Sequence, residues 1–347
     1  MAPRTTPVAT TSLTELLDRW SREESARDTR DTPCLGVASR ALRDRALLQP
    51  LREFLGRPGK MLRARLVEVG FRVAGGSVGA HPPELPLVIE ALHAGSLIVD
   101  DIEDQSDERR GSVTLHKLYG VPVALNAANW LYFWPQVLLS RIALSDAARL
   151  RAHDRLAGCL LRCHEGQAID LTVRVCDLPE SQVHDLVQSV ACLKTASLLE
   201  LATALGAIAA GADSSQVDAI ARFGREVGIG LQMLDDLSGV HNVARRHKAI
   251  EDLRQGRATW IWAWLAQDAD KEAYRRLLDE LTKVMDGADA EPLIERIRLR
   301  LGERGLRAAR LQLDAAIEAL RAAGEGEEGC CDFRRELDEL ERLYVGG

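Results

Sequence analysis

The sequence predicts an all-α protein. Apolar residues recur at helical spacing through nearly the whole chain, alternating β patterns are absent, and the segments are parted by Gly, Pro, Asp and Glu turns. At 347 residues the chain exceeds the usual single-domain size, yet a helical protein can bury one large core at this length. The expectation is a disordered N-terminus over residues 1–10 and one all-α domain over 11–347. A hydrophobic content of 46% and a charged content of 28% describe a soluble globular protein. The formal charge of −7, with basic residues interspersed among acidic ones, argues against nucleic acid as a partner. No apolar run reaches the ~18 residues of a membrane span. The opening MAPRTTPVATTS has no secretory h-region, so a cytoplasmic protein is expected. Seven cysteines without paired metal-ligand spacing read as reduced thiols. Cys159, Cys163 and His164 are open to two readings, a metal site or the core face of an amphipathic helix.

In chain order, Ser12 and Glu15 have the spacing of a capping box ahead of Leu13, Leu16, Leu17 and Trp20, which opens an amphipathic helix. A polar loop containing Pro33 follows, then a helix over about 38–55. Gly56-Arg-Pro-Gly59-Lys60-Met-Leu-Arg63 sets glycines beside cations at a helix start, which suits an anion because free N–H groups and positive side chains point the same way. Residues 75–86 form a Gly/Pro-rich loop. On the next helix, about 86–104, Ile89, His93, Ser96 and Asp100 fall at steps of three or four, so one face leads from apolar depth to carboxylates. His93 fits either a satisfied core histidine or a ligand.

That helix ends in Asp100-Asp101-Ile-Glu103-Asp104, with Asp100 and Asp104 one above the other on the same face. Like charges so placed repel, and a cation with oxygen ligands relieves them; Mg²⁺ takes one or two carboxylates and completes its octahedron with water and substrate phosphates. A second acidic pair, Asp235-Asp236, also closes an apolar helical stretch, and two such clusters facing each other would hold several Mg²⁺ around one diphosphate. Arg109-Arg110 follows the first cluster, where adjacent guanidinium forks can grip phosphate. A helix of about 123–143 carries Trp130, Tyr132, Phe133 and Trp134, a concentration of aromatics in a chain that is 4% aromatic. The next helix, about 145–173, holds Gly166-Gln167 and Asp170. Lys194 lies in an apolar helical run, where it snorkels or meets an anion. The helix begun by Ser214-Ser215 ends at Gln232, Asp235 and Asp236. A basic stretch (His241 to Lys248) then leads through Glu251–Thr259 to a helix bearing Trp260, Trp262 and Trp264. Segments of about 268–286, 290–322 and 331–345 are amphipathic helices, and the Glu-rich link 325–328 is expected to face solvent.

Seven ordered motifs carry a resemblance: PGKMLRARL (58–66), EALHAGSLIVDDIEDQSDERRG (90–111), HKLYGVPVALNAANWLYF (116–133), GQAID (166–170), KTA (194–196), LQMLDD (231–236) and EDLRQGRAT (251–259). Together they resemble the trans-isoprenyl diphosphate synthases, and most closely the geranylgeranyl diphosphate synthases of the eukaryotic type. The resemblance implies a helical bundle around a deep central cavity, usually as a homodimer, with two aspartate-rich helix ends facing each other at its mouth. It implies up to three Mg²⁺ ions and, as substrates, isopentenyl diphosphate and an allylic prenyl diphosphate.

By that resemblance Asp100, Asp104 and Asp235 look like direct Mg²⁺ ligands, with Asp101, Asp236 and Asp252 in support. Arg109, Lys194 and Lys248 look like contacts of the allylic diphosphate. Lys60, Arg63, His93 and Arg110 look like the isopentenyl diphosphate site, and Thr195 and Gln232 flank the reacting carbons. Chain length would be set below Asp100, where Gly95 and Ser96 stand in place of the bulky aromatics that stop growth early in the family. Leu92 and Ile89 lie deeper, within a span of about 6 to 18 Å at ~1.5 Å per residue, and a C20 product is expected. Gly239 departs from the family by standing where a third aspartate is frequent, Arg257 by replacing a lysine, and Ile261 by replacing a proline. The tryptophans at 260–264 raise an alternative, a class I terpene cyclase on the same fold, whose aromatic faces would stabilise migrating positive charge. A regulatory subunit of a heteromeric synthase is a third, non-enzymatic reading.

Overall fold

The computed structural model describes residues 12–28, 37–59, 61–268 and 270–345. The segment expected to be disordered (1–10), the Pro33 loop and Lys60 lie outside the described residues. The chain is all-α. Helices run in order as α1 (Leu13–Asp28), α2 (Val37–Arg43), α3 (Gln49–Leu55), α4 (Leu62–Val73), α5 (Leu85–Glu103), α6 (Leu115–Tyr119), α7 (Val121–Arg141), α8 (Asp146–Thr172) and α9 (Glu180–Val190). They continue as α10 (Ser197–Ala209), α11 (Ser214–His241), α12 (Arg246–Gln255), α13 (Trp260–Ala266), α14 (Lys271–Met285), α15 (Glu291–Leu301), α16 (Arg304–Ala322) and α17 (Glu327–Val345).

The capping box opens α1: Glu15 N–H donates to Ser12 Oγ (3.1 Å) and Ser12 N–H to Glu15 Oε2 (2.8 Å). Between α2 and α3 a π-helical turn covers Asp44–Leu48, directly before Pro50, which lacks the N–H that an α-helical ladder would use there. Three expectations need correction. A small antiparallel hairpin, β1 (Glu108–Arg109) and β2 (Ser112–Val113), interrupts the helices although no alternating pattern announces it. The expected helix over 290–322 is two helices, α15 and α16, parted at Gly302. The helix expected over 331–345 begins earlier, as α17 at Glu327, with Glu327 and Glu328 in its first turn where the helix dipole favours negative charge; the link 325–328 does face solvent, Gly326, Glu327 and Glu328 being exposed. The stretch Glu180–Ala209 is long and apolar enough to span a membrane by composition, yet 72% of its apolar window is buried inside the protein.

The chain divides into two compact units, Met1–Leu156 with Leu205–Ala212, and Ala157–Ala204 with Asp213–Gly347. Helix α5 is the core of the first: Leu85, Leu87, Val88, Ile89, Ala91, Leu92, Ala94 and Ile98 are all buried, and α4 and α7 pack against it. Trp134 is buried, Trp130 stacks on it at 5.0 Å, and Trp20 of α1 meets Trp130 edge-on at 5.1 Å, so most of the aromatic block is packing. Phe133 is the exception and is exposed. In the second unit α11 has the central place, with α12, α13, α15, α16 and α17 packed on it.

Glycines set the closest helix approaches. A Cβ at Gly206 would lie 2.0 Å from the Val67 carbonyl oxygen and 2.6 Å from the Phe71 nitrogen, both backbone atoms of α4. Gly206→Ala should therefore push the end of α10 off α4 at a cost of about 1–3 kcal/mol, lowering Tm by roughly 2–4 °C per kcal/mol. Thermal unfolding followed by circular dichroism checks this, and an unchanged Tm would remove the close-approach argument.

Candidate active site

The first cluster stands at the C-terminal end of α5. Asp100 and Asp104 are half-buried one turn apart, while Asp101 between them is 1% exposed and turned inward. Its Oδ1 accepts from Arg109 Nε (2.7 Å) and Nη2 (2.6 Å), so the first arginine of the pair is engaged by the adjacent carboxylate. Burial pushes the Asp101 carboxyl up despite Arg109, and Asp101 Oδ2 is buried without a hydrogen-bond partner. Arg110 occupies the turn between β1 and β2 with φ 54°, followed by Gly111 at φ 74°. Two successive positive φ values make the tight type I′ connection that matches strand twist.

Arg63 is on the first turn of α4. Met61 ahead of it is left-handed (φ 50°) and supplies no side-chain cap. Glu90 of α5, 5% exposed, caps that helix instead by accepting from the Ala64 N–H at 3.1 Å, which fixes the turn that carries Arg63. His93 lies near both arginines. Burial, then Arg63, Arg110 and Arg109 in that order, hold its pKa well below the usual range, so the ring is neutral at pH 7. Burial also lowers Arg110, with Arg63 and Arg109 adding to it and Glu90 opposing. Positive charge crowded in this way on one unit favours a polyanion.

The second cluster lies in the C-terminal part of α11 and not at its end: contrary to expectation, the helix continues past Asp236 to His241. Asp235 is half-buried between Arg245 Nη2 (2.9 Å) and Lys248 Nζ (3.0 Å). Burial raises its pKa, but Lys248 and Arg245 outweigh that and hold it below the usual carboxylate range. Lys248 also reaches Asp252 at 3.6 Å. Burial opposes its charge, but Asp235, Asp252 and Asp236 more than restore it, and its pKa is raised. Asp236 is buried, and burial lifts it to about 7. It accepts from the Trp260 N–H (2.8 Å) and from Gln232 Nε2 (2.7 Å), and Gln232 Oε1 accepts from Thr195 Oγ1 (2.6 Å). A continuous hydrogen-bond chain thus fixes Thr195 and Gln232.

Thr195 and Lys194 sit on a π-helical turn, Ala191–Ala196, and such turns are frequent at functional sites. Neighbouring helices come unusually close there: a Cβ at Gly166 would be 2.7 Å from the Lys194 nitrogen, and one at Gly228 would be 2.5 Å from Ala196 Cα. Lys194 Nζ and Arg257 Nη1 each donate to Asp170 Oδ2 at 2.8 Å, so the residue that replaces a family lysine shares one carboxylate with Lys194. Burial raises Asp170, but Lys194 and Arg257 together lower it. Sequence reasoning did not assign Asp170, Arg245 or Glu90 to the site; the first and last lie inside quoted motifs, but nothing in their spacing marks them. Gly239 has a physical reason to lack the family's third carboxylate. The Ala249 nitrogen of α12 would be 2.6 Å from its Cβ, and α12 itself brings Asp252 to Lys248.

Several candidates turn out to be packing. Trp260, Trp262 and Trp264 are 2%, 1% and 4% exposed; Trp260 stacks on Trp264 at 5.9 Å, and Trp262 meets Tyr274 edge-on at 6.4 Å. Cys159 and Cys163 lie 3.9 Å apart and turn toward the Ser197 and Lys194 carbonyls, so they belong to the packing of α8 on the π turn. Leu92 and Ile89 are buried. Gly95 is small for a different reason than an open floor: its Cβ would lie 3.1 Å from both the Ala128 carbonyl oxygen and Leu131 Cβ of α7. Ser96 is half-buried, and its hydroxyl donates back to the His93 carbonyl at 2.9 Å.

Among the described residues no three His, Cys, Asp or Glu side chains converge as a metal cage. The carboxylates nonetheless fit Mg²⁺ bound to a substrate, which needs only one or two protein oxygens per ion. Asp235 is held ionised, and the buried Asp101 Oδ2 lacks a partner. Asp101 and Asp236 are the inward-turned member of each pair, in ion-paired or hydrogen-bonded positions.

The chain is 30% identical to the geranylgeranyl diphosphate synthase of Sulfolobus acidocaldarius over 213 residues, 58% of this chain and 61% of that protein. It is 34% identical to the geranylgeranyl diphosphate synthase of Mycobacterium tuberculosis over 185 residues, 53% of this chain and 51% of that protein. The chain thus spans between about half and three fifths of the length of these curated relatives. The fold resembles a geranylgeranyl pyrophosphate synthase from Corynebacterium glutamicum solved with isoprenyl diphosphate and magnesium, with a TM-score of 0.72, 23% identity, and coverage of 97% of this chain and 99% of that one. The polyprenyl synthetase family model matches residues 44–297, a range that holds both aspartate clusters, the Arg63–His93–Arg110 group and the Lys194 turn, and the chain belongs to that family.

Proposed function

We propose that the protein is a Mg²⁺-dependent trans-prenyltransferase. It joins isopentenyl diphosphate to an allylic diphosphate, farnesyl or shorter, and releases geranylgeranyl diphosphate and pyrophosphate. The observation that carries this reading is the group of Arg63, Arg110 and neutral His93 in the same unit as the Asp100/Asp104 carboxylates. An elongating enzyme needs a second diphosphate site and a cyclase does not. The tryptophans that would have served a cyclase are buried against their own neighbours, so the cyclase reading loses its support.

Asp100, Asp104 and Asp235 would hold Mg²⁺, which when bound supplies positive charge that stabilises the departing diphosphate. By the family resemblance Lys194, Lys248 and Arg109 would be charged donors for the allylic diphosphate. The chain from Thr195 through Gln232 to Asp236 fixes a hydroxyl and an amide; the family resemblance sets these beside the reacting carbons, where held dipoles would need little reorganisation as the allylic C–O bond breaks. Lys60, Arg63, His93 and Arg110 orient the isopentenyl double bond for attack on the allylic carbon. Loss of a proton beside the new bond, to the released pyrophosphate, completes a chain longer by five carbons. Ser96, rather than the packed Gly95, is the position where bulk would shorten the product. We also propose that the protein works as a homodimer off the membrane: α7 exposes Val121, Leu125, Phe133 and Val137, and the Glu180–Ala209 stretch is mostly buried.

The purified protein with Mg²⁺, isopentenyl diphosphate and farnesyl diphosphate should give geranylgeranyl diphosphate, and EDTA should abolish turnover. A cyclic hydrocarbon formed from the allylic substrate alone would establish the cyclase, and no turnover by the chain alone would favour a regulatory subunit. Asp100→Ala should lower kcat by about 10²–10³-fold, the size of losing one preorganised electrostatic group; activity within a factor of a few would remove Asp100 from the site. Ser96→Phe should shift the product toward shorter prenyl chains by chromatography, whereas an unchanged profile would refute the chain-length assignment.

A further inference from the structure

Arg57 is a nearly buried cation, 4% exposed at its side chain, in the loop that follows α3. Its Nη1 donates to the Arg109 carbonyl (3.0 Å) and its Nη2 to the Val113 carbonyl (2.7 Å), one acceptor on each strand of the β1–β2 hairpin. The rest of the fork is held by Glu53: Nη2 reaches Oε2 at 2.8 Å and Oε1 at 3.0 Å, and Nε reaches Oε1 at 3.3 Å. Phe54, fully buried, lies under the guanidinium at 5.1 Å. One side chain therefore ties α3 to both strands of a hairpin only two residues deep on each side.

What the hairpin holds is Arg110. A residue with a Cβ is strained in the left-handed region, and such strain persists only where surrounding structure over-determines it. The Arg110 side chain folds back over the same region, 5.8 Å from the Phe54 ring, and a Cβ on Gly59 would come within 3.3 Å of its Nη2. Released from the Arg57 clamp, the turn would relax toward φ < 0 and swing this guanidinium away from Arg63 and His93.

We propose that Arg57 is a positioning residue: by bridging the Arg109 and Val113 carbonyls it locks the strained turn that presents Arg110 to the isopentenyl diphosphate. This rests on the reading of Arg63, His93 and Arg110 as that substrate's site. Arg57 itself faces the hairpin carbonyls and Glu53 and acts through Arg110.

The test is a kinetic cycle with farnesyl diphosphate and Mg²⁺ saturating. Arg57→Gln should raise the KM for isopentenyl diphosphate about tenfold, with kcat and the KM for farnesyl diphosphate within twofold. Arg57→Lys, which keeps the charge but cannot fork to both carbonyls, should fall between; it carries the test if the Gln variant does not fold. In an Arg110→Ala background the Arg57 substitution should add less than twofold, because the group it positions is gone. An undiminished effect there, or an unchanged KM in the single variants, overturns the proposal. If Arg110→Ala alone leaves the KM unchanged, the assignment of the diphosphate site fails instead. Amide hydrogen exchange over residues 108–114 still decides Arg57 in that case: faster exchange in Arg57→Gln supports the clamp, and unchanged protection overturns it.

Discussion

Negative charge at the wrong end of a buried helix is the constraint on which this structure turns. Helices α5 and α11 are each packed on by several neighbours and each carries adjacent aspartates in its C-terminal part, at the last turn of α5, where the helix dipole is already negative, and five to six residues before the end of α11. Carboxylates there cannot stay ionised without cations close by. In the first unit Arg109 answers Asp101, and in the second Lys248 and Arg245 answer Asp235. The β1–β2 hairpin and α12 can be understood as the elements that deliver those cations, since each follows its acidic helix almost immediately in the chain.

The same constraint divides labour within each aspartate pair. Asp101 and Asp236 turn inward, where an arginine engages one oxygen of Asp101 and a backbone N–H and an amide engage Asp236. Asp100, Asp104 and Asp235 remain half-buried. The inward partner ties its helix to the next element and leaves the outward one half-buried. Close backbone approach serves a similar purpose around Lys194: Gly166 and Gly228 let two helices grip the π turn, and Asp170 then fixes the ammonium from one side.

Helical periodicity made most of the fold legible, because a 3.6-residue apolar stripe is a local property and tertiary packing here reinforces it. The capping box at Ser12 and Glu15 formed as its spacing required. The failures share a cause. The break at Gly302, the hairpin at 108–113 and the two π turns leave the apolar period nearly intact while altering hydrogen-bond register, and periodicity does not report register. In the site, charged residues at motif spacing were visible, but their acceptors were not: Asp170 is 24 residues from Lys194 and 87 from Arg257, and only folding joins them.

By itself the sequence determined an all-helical chain with two acidic pairs late in apolar helices, a set of cations near each, and membership of a diphosphate-handling family, because these depend on residue type and short-range spacing; it did not reveal that α11 continues past its pair to His241. Only the tertiary structure decided which aspartate of each pair is anchored, why Gly239 must lack a side chain and Gly95 is closely packed on α7, and which aromatic residues are packing rather than cavity wall. Two adjacent aspartates are chemically identical as letters. They acquire different roles when a 100° step around the helix turns one toward a buried cation or amide and leaves the other half-exposed.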